Sequence, residues 1–324
     1  MDAISAKRVA RFQYTPEIPV QLNPIFDWPP NLTGVVRWLA ASWLTISMQL
    51  FCLALACVVY FVFQPTADEM KNLSFSWIAS IWLRNLIIML SVTGLLHLYF
   101  YTFRKQGSDL KYEEQGQKRS SKVHNFGNQV LDNMFWTLGS GVLIWSAYEV
   151  LYFWLSANGH LPMLVIVDNP VWFVAMFVLI PIWSSMHFYW IHRWLHWPPL
   201  YRVAHALHHR NVNIGPWSGI SMHPIEHILY FSSFLIHFVV LSHPLHFLFH
   251  AYYNTIGAST SHCGFEGLQI GGKKRVDLGN FFHQLHHKHI RCNYGTIEMP
   301  WDRWFGSFHD GTDEATKRVR KRKW

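Results

Sequence analysis

Three groups of closely spaced histidines are the residues of this sequence that are best suited to carry out chemistry. The first group places two histidines four residues apart, and the other two groups place three histidines at positions i, i+3 and i+4. On a helix, these spacings bring the rings of one group to the same face. We expect the groups to converge on transition metal, and eight imidazoles suit two ions better than one tetrahedral zinc. The eight histidines are His192, His196, His205, His208, His209, His283, His286 and His287.

Three further histidines are candidate metal ligands. His223 and His227 form another pair four residues apart, and His262 precedes the third group by 21 residues. The alternative role of all three is to orient the ligands through hydrogen bonds. Four other histidines interrupt an apolar stretch at 228–253, which is more typical of an interfacial position. They are His237, His243, His246 and His250.

The histidine groups contain no acidic residue, and this separates them from two familiar metal sites. A zinc peptidase needs His-Glu-x-x-His, and a soluble carboxylate-bridged diiron protein needs Glu-x-x-His. Neither string occurs in the sequence. Neutral imidazole ligands leave a metal pair highly positive. The ligand type therefore favours, without requiring, reductive activation of O2 for attack on an unactivated C–H bond.

Long apolar runs are the elements that must position these histidines. Only 14% of the 324 residues are charged, against ~25% in ordinary soluble domains, and 51% are hydrophobic. Each run is long enough to cross a bilayer as a helix. The sequence predicts an all-α, polytopic membrane helical bundle with about four transmembrane helices and a cytoplasmic cap that carries the histidine groups. The runs are 35–63, 75–103, 130–155 and 171–190.

The distribution of basic residues predicts an orientation. Lys and Arg concentrate in the N-terminal arm, in the 104–128 loop and at 318–323, while the 156–170 loop has none. The positive-inside rule then places the arm, that basic loop and the histidine groups on the cytoplasmic side. The apolar but interrupted stretch 228–253 is interpreted as a re-entrant or interfacial hairpin. The net charge of +8 lies in short loops beside apolar runs, so we expect no nucleic-acid partner.

Four parts follow from these patterns. They are an N-terminal cytoplasmic arm at 1–34, a transmembrane hairpin with its basic loop at 35–128, a catalytic domain at 129–310 and a basic tail at 311–324. The four cysteines include no Cys-x-x-Cys pair, which argues against a thiolate metal site or a disulfide framework.

The histidine groups and their surroundings resemble the membrane-bound fatty acid hydroxylase / sterol desaturase superfamily. The family's boxes appear at 192–196, 205–209 and 283–287, and His-Pro follows the second box at 223–224. The likeness covers about 130–310. The ordered run 293–308 is most similar to the sterol desaturase branch. The stretch 215–231 departs from the sterol C-5 desaturases and leaves the exact substrate open.

The resemblance implies a non-haem diiron centre, O2 as oxidant and an apolar substrate drawn from the bilayer. The expected activity is desaturation or hydroxylation of a sterol or related lipid, with a fatty acid or alkyl-lipid hydroxylase as the alternative. In a eukaryotic cell the protein would be a multi-pass protein of the endoplasmic reticulum membrane. The sequence has neither a Gly-x-Gly-x-x-Gly fingerprint nor a His-Pro-Gly-Gly haem motif. We therefore expect an external electron donor, such as cytochrome b5 with its reductase, or a ferredoxin.

Two functions of other classes would place the histidines differently. A histidine-rich metal-ion transporter would carry ionisable residues within its spans, along a path. A bis-histidine haem electron carrier would place single histidines in the middle of its spans. Boxes gathered at one membrane face favour neither.

Overall fold

The computed structural model of the protein describes residues 12–321, and most of its regular structure is helical. Within this part of the chain, α4, α5 and α6 are long and apolar enough to cross a membrane, and α1 with α2 would make a fourth span. The predicted all-α membrane bundle is therefore confirmed. The first six helices are α1 Leu32–Trp43, α2 Met48–Phe63, α3 Ala67–Met70, α4 Phe75–Thr102, α5 Gln129–Ala157 and α6 Pro170–Leu195.

The fourth predicted run continues further than its apolar residues suggested. Helix α6 does not end at residue 190 but runs on to Leu195, so that His192 occupies its last turns. The helix begins at Pro170, whose missing N–H is not needed at that position. The first histidine box is therefore a direct extension of a membrane helix.

The first predicted run, 35–63, is broken in two. Helices α1 and α2 meet at an angle of 40° around the break between Trp43 and Met48. There the Thr45 hydroxyl donates to the Ala41 carbonyl at 2.6 Å, and the Ser47 hydroxyl accepts from the Leu50 N–H at 3.2 Å. Hydroxyl side chains that bond to nearby backbone compete with a continuous helix, which explains the interruption.

The remaining elements complete the fold. A short helical segment at Pro198–Leu200 continues through Tyr201–His205, and 3-10 turns occur at Pro24–Phe26, His208–Arg210, Pro216–Ser218 and Ser232–Phe238. Strands β1 and β2 form an antiparallel hairpin. The other helices and the strands are α7 Pro224–Phe231, α8 Pro244–Ser261, β1 Gly267–Ile270, β2 Lys273–Asp277, α9 Phe281–His289, α10 Trp301–Trp304 and α11 Asp313–Arg320.

Helix α8 lies at the centre of the bundle. It packs against α2, α6 and α4, and its residues Phe247, Phe249 and Tyr252 are fully buried. The stretch predicted as an interfacial hairpin thus contains a core helix. Three of its four histidines, His237, His246 and His250, are buried as well, and His237 Nε2 lies 3.0 Å from His250 Nδ1. Such polar side chains satisfy one another's hydrogen bonds inside the protein. The hydrophobicity pattern of the sequence does not reveal these contacts.

A buried ion pair joins two of the membrane helices. Arg84 of α4 donates to the carboxylate of Glu149 of α5, and both side chains are buried. Asn85 Nδ2 donates to the other Glu149 oxygen at 2.9 Å and to Ser146 Oγ at 3.1 Å. The arginine inside the second apolar run is therefore fully paired within the bundle.

The described part of the N-terminal arm lies across the cap instead of standing apart. The N–H of Val20 donates to the Asp310 carbonyl at 2.9 Å, and that of Asn23 donates to the Ile297 carbonyl at 2.9 Å. Residues 1–11 and 322–324, at the ends of the predicted arm and tail, lie outside the described residues. The division into four parts, with its three boundaries, stays a prediction.

Candidate metal centre

The histidines form two separate groups that could each hold a metal ion. In each group, one ligand atom per residue lies within 4.8 Å of all the others, and every member is buried. The first group has five members and the second has four. The first consists of His192, His196, His205, His209 and His286. The second consists of His208, His262, His283 and His287.

The two groups divide each three-histidine box in the same way. His205 and His209, four residues apart, belong to the first group, whereas His208 belongs to the second. His283 and His287 share the second group, whereas His286 belongs to the first. Residues i and i+4 point in the same direction and residue i+3 points elsewhere, so one box reaches both sites. The planes of the adjacent His208 and His209 rings make an angle of 81° with each other.

His223 and His227 are not brought into either group. The His223 ring accepts from the Ile225 N–H at 3.2 Å, which makes it the cap of α7. His227 Nε2 lies 2.9 Å from the carbonyl oxygen of Ile220 and donates to it. Because α7 begins at Pro224, its first turn directs both rings to backbone groups, and metal binding by this pair stays a prediction. His262, by contrast, lies inside the second group.

Main-chain acceptors determine which nitrogen of several rings carries the proton. His192 Nδ1 lies 2.6 Å from the Tyr294 carbonyl oxygen, and His286 Nδ1 lies 2.6 Å from the Cys292 carbonyl oxygen. A carbonyl oxygen only accepts, so Nδ1 must be the protonated nitrogen. In a neutral imidazole, Nε2 then carries a lone pair that is free to bind metal.

These lone pairs face one another. His192 Nε2 lies 3.0 Å from His205 Nε2, and His286 Nε2 lies 3.1 Å from His209 Nε2. His205 Nδ1 lies 2.7 Å from the Glu226 carboxylate and donates to it, so its Nε2 is also unprotonated. Two such nitrogens at this distance cannot form a hydrogen bond. A cation between them would turn the repulsion into coordination, so the donor set fits a metal ion.

Burial keeps the rings in the neutral form that metals require. Removal from water lowers the pKa of His208 to about 4. The same burial, with neighbouring imidazoles as a smaller cause, lowers the pKa of His262 to about 3. Since metal binding requires deprotonated ligands, both rings are ready to bind at neutral pH.

A cavity of about 550 Å³ adjoins both groups. Its wall includes His192 and His205 of the first group and His208 of the second, and apolar side chains such as Phe188 and Leu195 lie beside them. The cavity extends to the break between α1 and α2, at 41–49. Its volume is within the 300–1,000 Å³ that is usual for pockets of small-molecule ligands.

Two acidic residues support the ligands, and neither is among the residues predicted from the sequence. Glu226 accepts from His205, as described above, and is 2% exposed. The Asp302 carboxylate accepts from the N–H groups of Tyr294 at 2.9 Å and Gly295 at 2.7 Å. Asp302 thereby fixes the loop whose carbonyl holds His192. The available signal was a carboxylate in the His-Pro-x-Glu-His string at 223–227, within a sequence poor in charge.

Comparison with known proteins agrees with this geometry. Residues 177–307, which include all eleven predicted ligands and thus the nine that the structure groups, match the fatty acid hydroxylase family. This match, with the relatives described below, supports the fatty acid hydroxylase / sterol desaturase superfamily for the chain. The predicted resemblance is thereby confirmed.

Proteins of known name resemble part of the chain. Delta(7)-sterol 5(6)-desaturase ERG3 of Candida albicans is 29% identical over 143 residues, which are 44% of this chain and 36% of that protein. The protein of the same name from Saccharomyces cerevisiae is 28% identical over 172 residues, 52% of this chain and 46% of that protein.

A plant superfamily member shows the same similarity. Delta(7)-sterol-C5(6)-desaturase of Nicotiana tabacum is 31% identical over 141 residues, which are 40% of this chain and 48% of that protein. The chain thus spans less than half the length of each of these curated relatives. No solved structure matches the chain.

Proposed function

We propose that this superfamily member is a membrane-bound diiron oxidoreductase that uses O2 to desaturate or hydroxylate a sterol or related lipid. The observation that carries the proposal is the convergence of nine buried histidines into two groups beside one cavity. The relatives named as sterol desaturases supply the substrate class. The fatty acid or alkyl-lipid hydroxylase remains the alternative within the superfamily.

The two histidine groups would hold the two irons. Five imidazoles would bind one iron and four would bind the other, and His262 would be the ligand supplied from outside the three boxes. Imidazole is a suitable ligand for iron, although it also suits zinc, copper and nickel. When bound, the iron pair supplies reductive activation of O2 for oxidation of an unactivated C–H bond.

The side chains of the protein have three tasks in this reaction. The carbonyl oxygens of Tyr294 and Cys292 hold His192 and His286 in the tautomer that offers Nε2. Phe188 and Leu195 line the cavity next to the ligands and keep water from the reacting carbon. The rigid walls of α6 and α8 orient the lipid, since placement of the reacting C–H bond determines the rate and the product.

Desaturation also needs an electron source. Removing two hydrogens from neighbouring carbons while O2 becomes two waters requires two electrons and two protons from elsewhere. Cytochrome b5 with its reductase, or a ferredoxin, would supply the electrons at the cytoplasmic face. This orientation follows from the basic residues of the 104–128 loop, and in a eukaryotic cell the membrane would be that of the endoplasmic reticulum.

Lipid profiling tests the proposal. Cells lacking the protein should accumulate a sterol precursor, and the wild-type chain should restore the product. The His208→Ala variant should insert into the membrane at the same level and restore nothing, because it removes a ligand of the second group. Full restoration by His208→Ala, or an intense Soret band in the purified wild-type protein, would contradict the diiron proposal.

A further inference from the structure

A second concave site lies on the surface, at the end of α6 that carries the first histidine box. It is a groove of about 460 Å³, and it shares no wall residue with the cavity beside the histidine groups. Its wall consists of Trp190, Arg193, Trp194 and Trp197. All four side chains are exposed. Exposed aromatic side chains that adjoin one another usually mark a contact with a partner or a membrane.

The length of α6 places this groove at the level of the lipid head groups. Its 26 residues span ~39 Å at 1.5 Å per residue, whereas the hydrocarbon core of a bilayer is ~30 Å thick. Residues 170–176 are apolar, so the part of the helix that projects from the core is the end with Arg193. Tryptophan is enriched in this layer of the membrane, and arginine side chains extend into it.

The guanidinium of Arg193 is held in place by aromatic rings. Its central carbon lies 5.7 Å from the ring centres of Tyr189 and Tyr294 and 5.6 Å from that of Phe305. One of its nitrogens also donates to the Tyr189 hydroxyl. The planar group is therefore fixed by contacts that leave its positive charge uncompensated.

No acidic side chain neutralises this charge by direct contact. Within residues 12–321, Arg193 takes part in none of the ion pairs. The Asp302 carboxylate lies beyond ion-pairing distance and accepts from the N–H groups of the loop that it fixes. A guanidinium in this state is suited to bind a phosphate through two parallel hydrogen bonds.

We propose that the groove binds an anionic phospholipid, with the phosphate on Arg193 and an acyl chain along the three tryptophans. In the described part of the chain, no acceptor takes a hydrogen bond from their indole N–H groups, which can therefore donate to phosphate or ester oxygens. Continuity with a membrane-spanning helix favours a lipid over a soluble acidic protein, and a free anion would leave the tryptophan walls uncovered. This inference does not rest on the proposed function.

Native mass spectrometry of the purified full-length protein tests the proposal without any substitution. The probes are phosphatidylglycerol and phosphatidylcholine with identical acyl chains. The first should bind about 10-fold more tightly, because the choline cation of the second opposes the charge of Arg193. A large excess of inorganic phosphate should not displace it.

Each other outcome contradicts the proposal in a different way. Equal binding of the two lipids would overturn the preference for an anionic head group. Displacement by inorganic phosphate would show a site for free anions. Absence of any bound lipid would leave a soluble acidic protein as the partner of the groove.

The Arg193→Gln variant tests whether this arginine creates the preference. Without the guanidinium charge, phosphatidylglycerol and phosphatidylcholine should bind with equal affinity. Arg119→Gln removes the same charge from the exposed part of the 104–128 loop and should keep the wild-type preference. An Arg193→Gln protein that still prefers phosphatidylglycerol would refute the role of Arg193.

The Trp197→Ala variant keeps Arg193 in place and so tests the groove even if Arg193→Gln fails to fold. Loss of the apolar wall should weaken both lipids by about 10-fold and preserve the preference between them. Trp28→Ala, at a 90% exposed position outside the groove, is the matched control and should change neither affinity. Unchanged lipid binding in Trp197→Ala would show that the groove is not the site.

Discussion

His192 donates from Nδ1 to the carbonyl oxygen of Tyr294 at 2.6 Å, across 102 residues of sequence. The loop that provides this carbonyl is held in turn by Asp302, which accepts from two of its N–H groups and from the Ser307 hydroxyl at 2.6 Å. Asp302 is 1% exposed. A membrane helix, a loop and a buried carboxylate thus fix one metal-binding ring, and partners of this kind tune metal affinity in other proteins.

Replacing Asp302 should weaken metal binding although the residue touches no metal ligand. In Asp302→Asn, the NH2 group would face one of the N–H or O–H donors that the carboxylate now accepts. The loop should shift, and iron affinity should fall by roughly 10-fold, within the range known for supporting residues. Competition with a chromophoric chelator measures this affinity. Asp313→Asn on the exposed start of α11 is the matched control, and equal affinities in the two variants would contradict the prediction.

The division into two groups predicts the metal stoichiometry of single variants. His209→Ala should lower iron binding in the first group, and His262→Ala should lower it in the second, so that each variant retains about one iron where the wild type holds two. Metal analysis of the purified proteins, with circular dichroism to confirm folding, measures the outcome.

His223→Asn is the control for these two variants. His223 lies outside both groups and caps α7, and asparagine preserves a helix cap. Iron content should therefore equal that of the wild type. Two irons in His262→Ala would remove His262 from the ligand set, and a loss of iron in His223→Asn would restore His223 to it.

Removing one member of the ion pair between Arg84 and Glu149 should cost more stability than replacing both members. Glu149→Leu leaves the Arg84 guanidinium buried without its counter-charge, which should destabilise the protein by about 3–5 kcal/mol. The double variant Arg84→Met/Glu149→Leu should recover most of that loss, because it buries no charge. Thermal unfolding in detergent compares the two. A double variant less stable than Glu149→Leu would show that the network with Asn85 matters more than the pair.

Local features of this protein could be predicted from residues that are close together in the chain. The apolar runs predicted α4 and α5 within a few residues, because a membrane span is defined by the length of its own segment. The eight box histidines were predicted as a converging set, because spacings of three and four residues fix neighbours on one helix. Each of these inferences depends on residues close together in the chain.

The division of the histidines into two groups, and the partners that hold them, depend on the packing of distant segments. His208 and His209 are adjacent in sequence but belong to different groups, and His262 joins the second group while His223 and His227 do not. The partners Glu226 and Asp302, and the central position of α8, likewise depend on contacts between distant segments. Spacing along a helix fixes the direction of a ring relative to its neighbours, whereas the packing of helices and loops fixes what that ring meets.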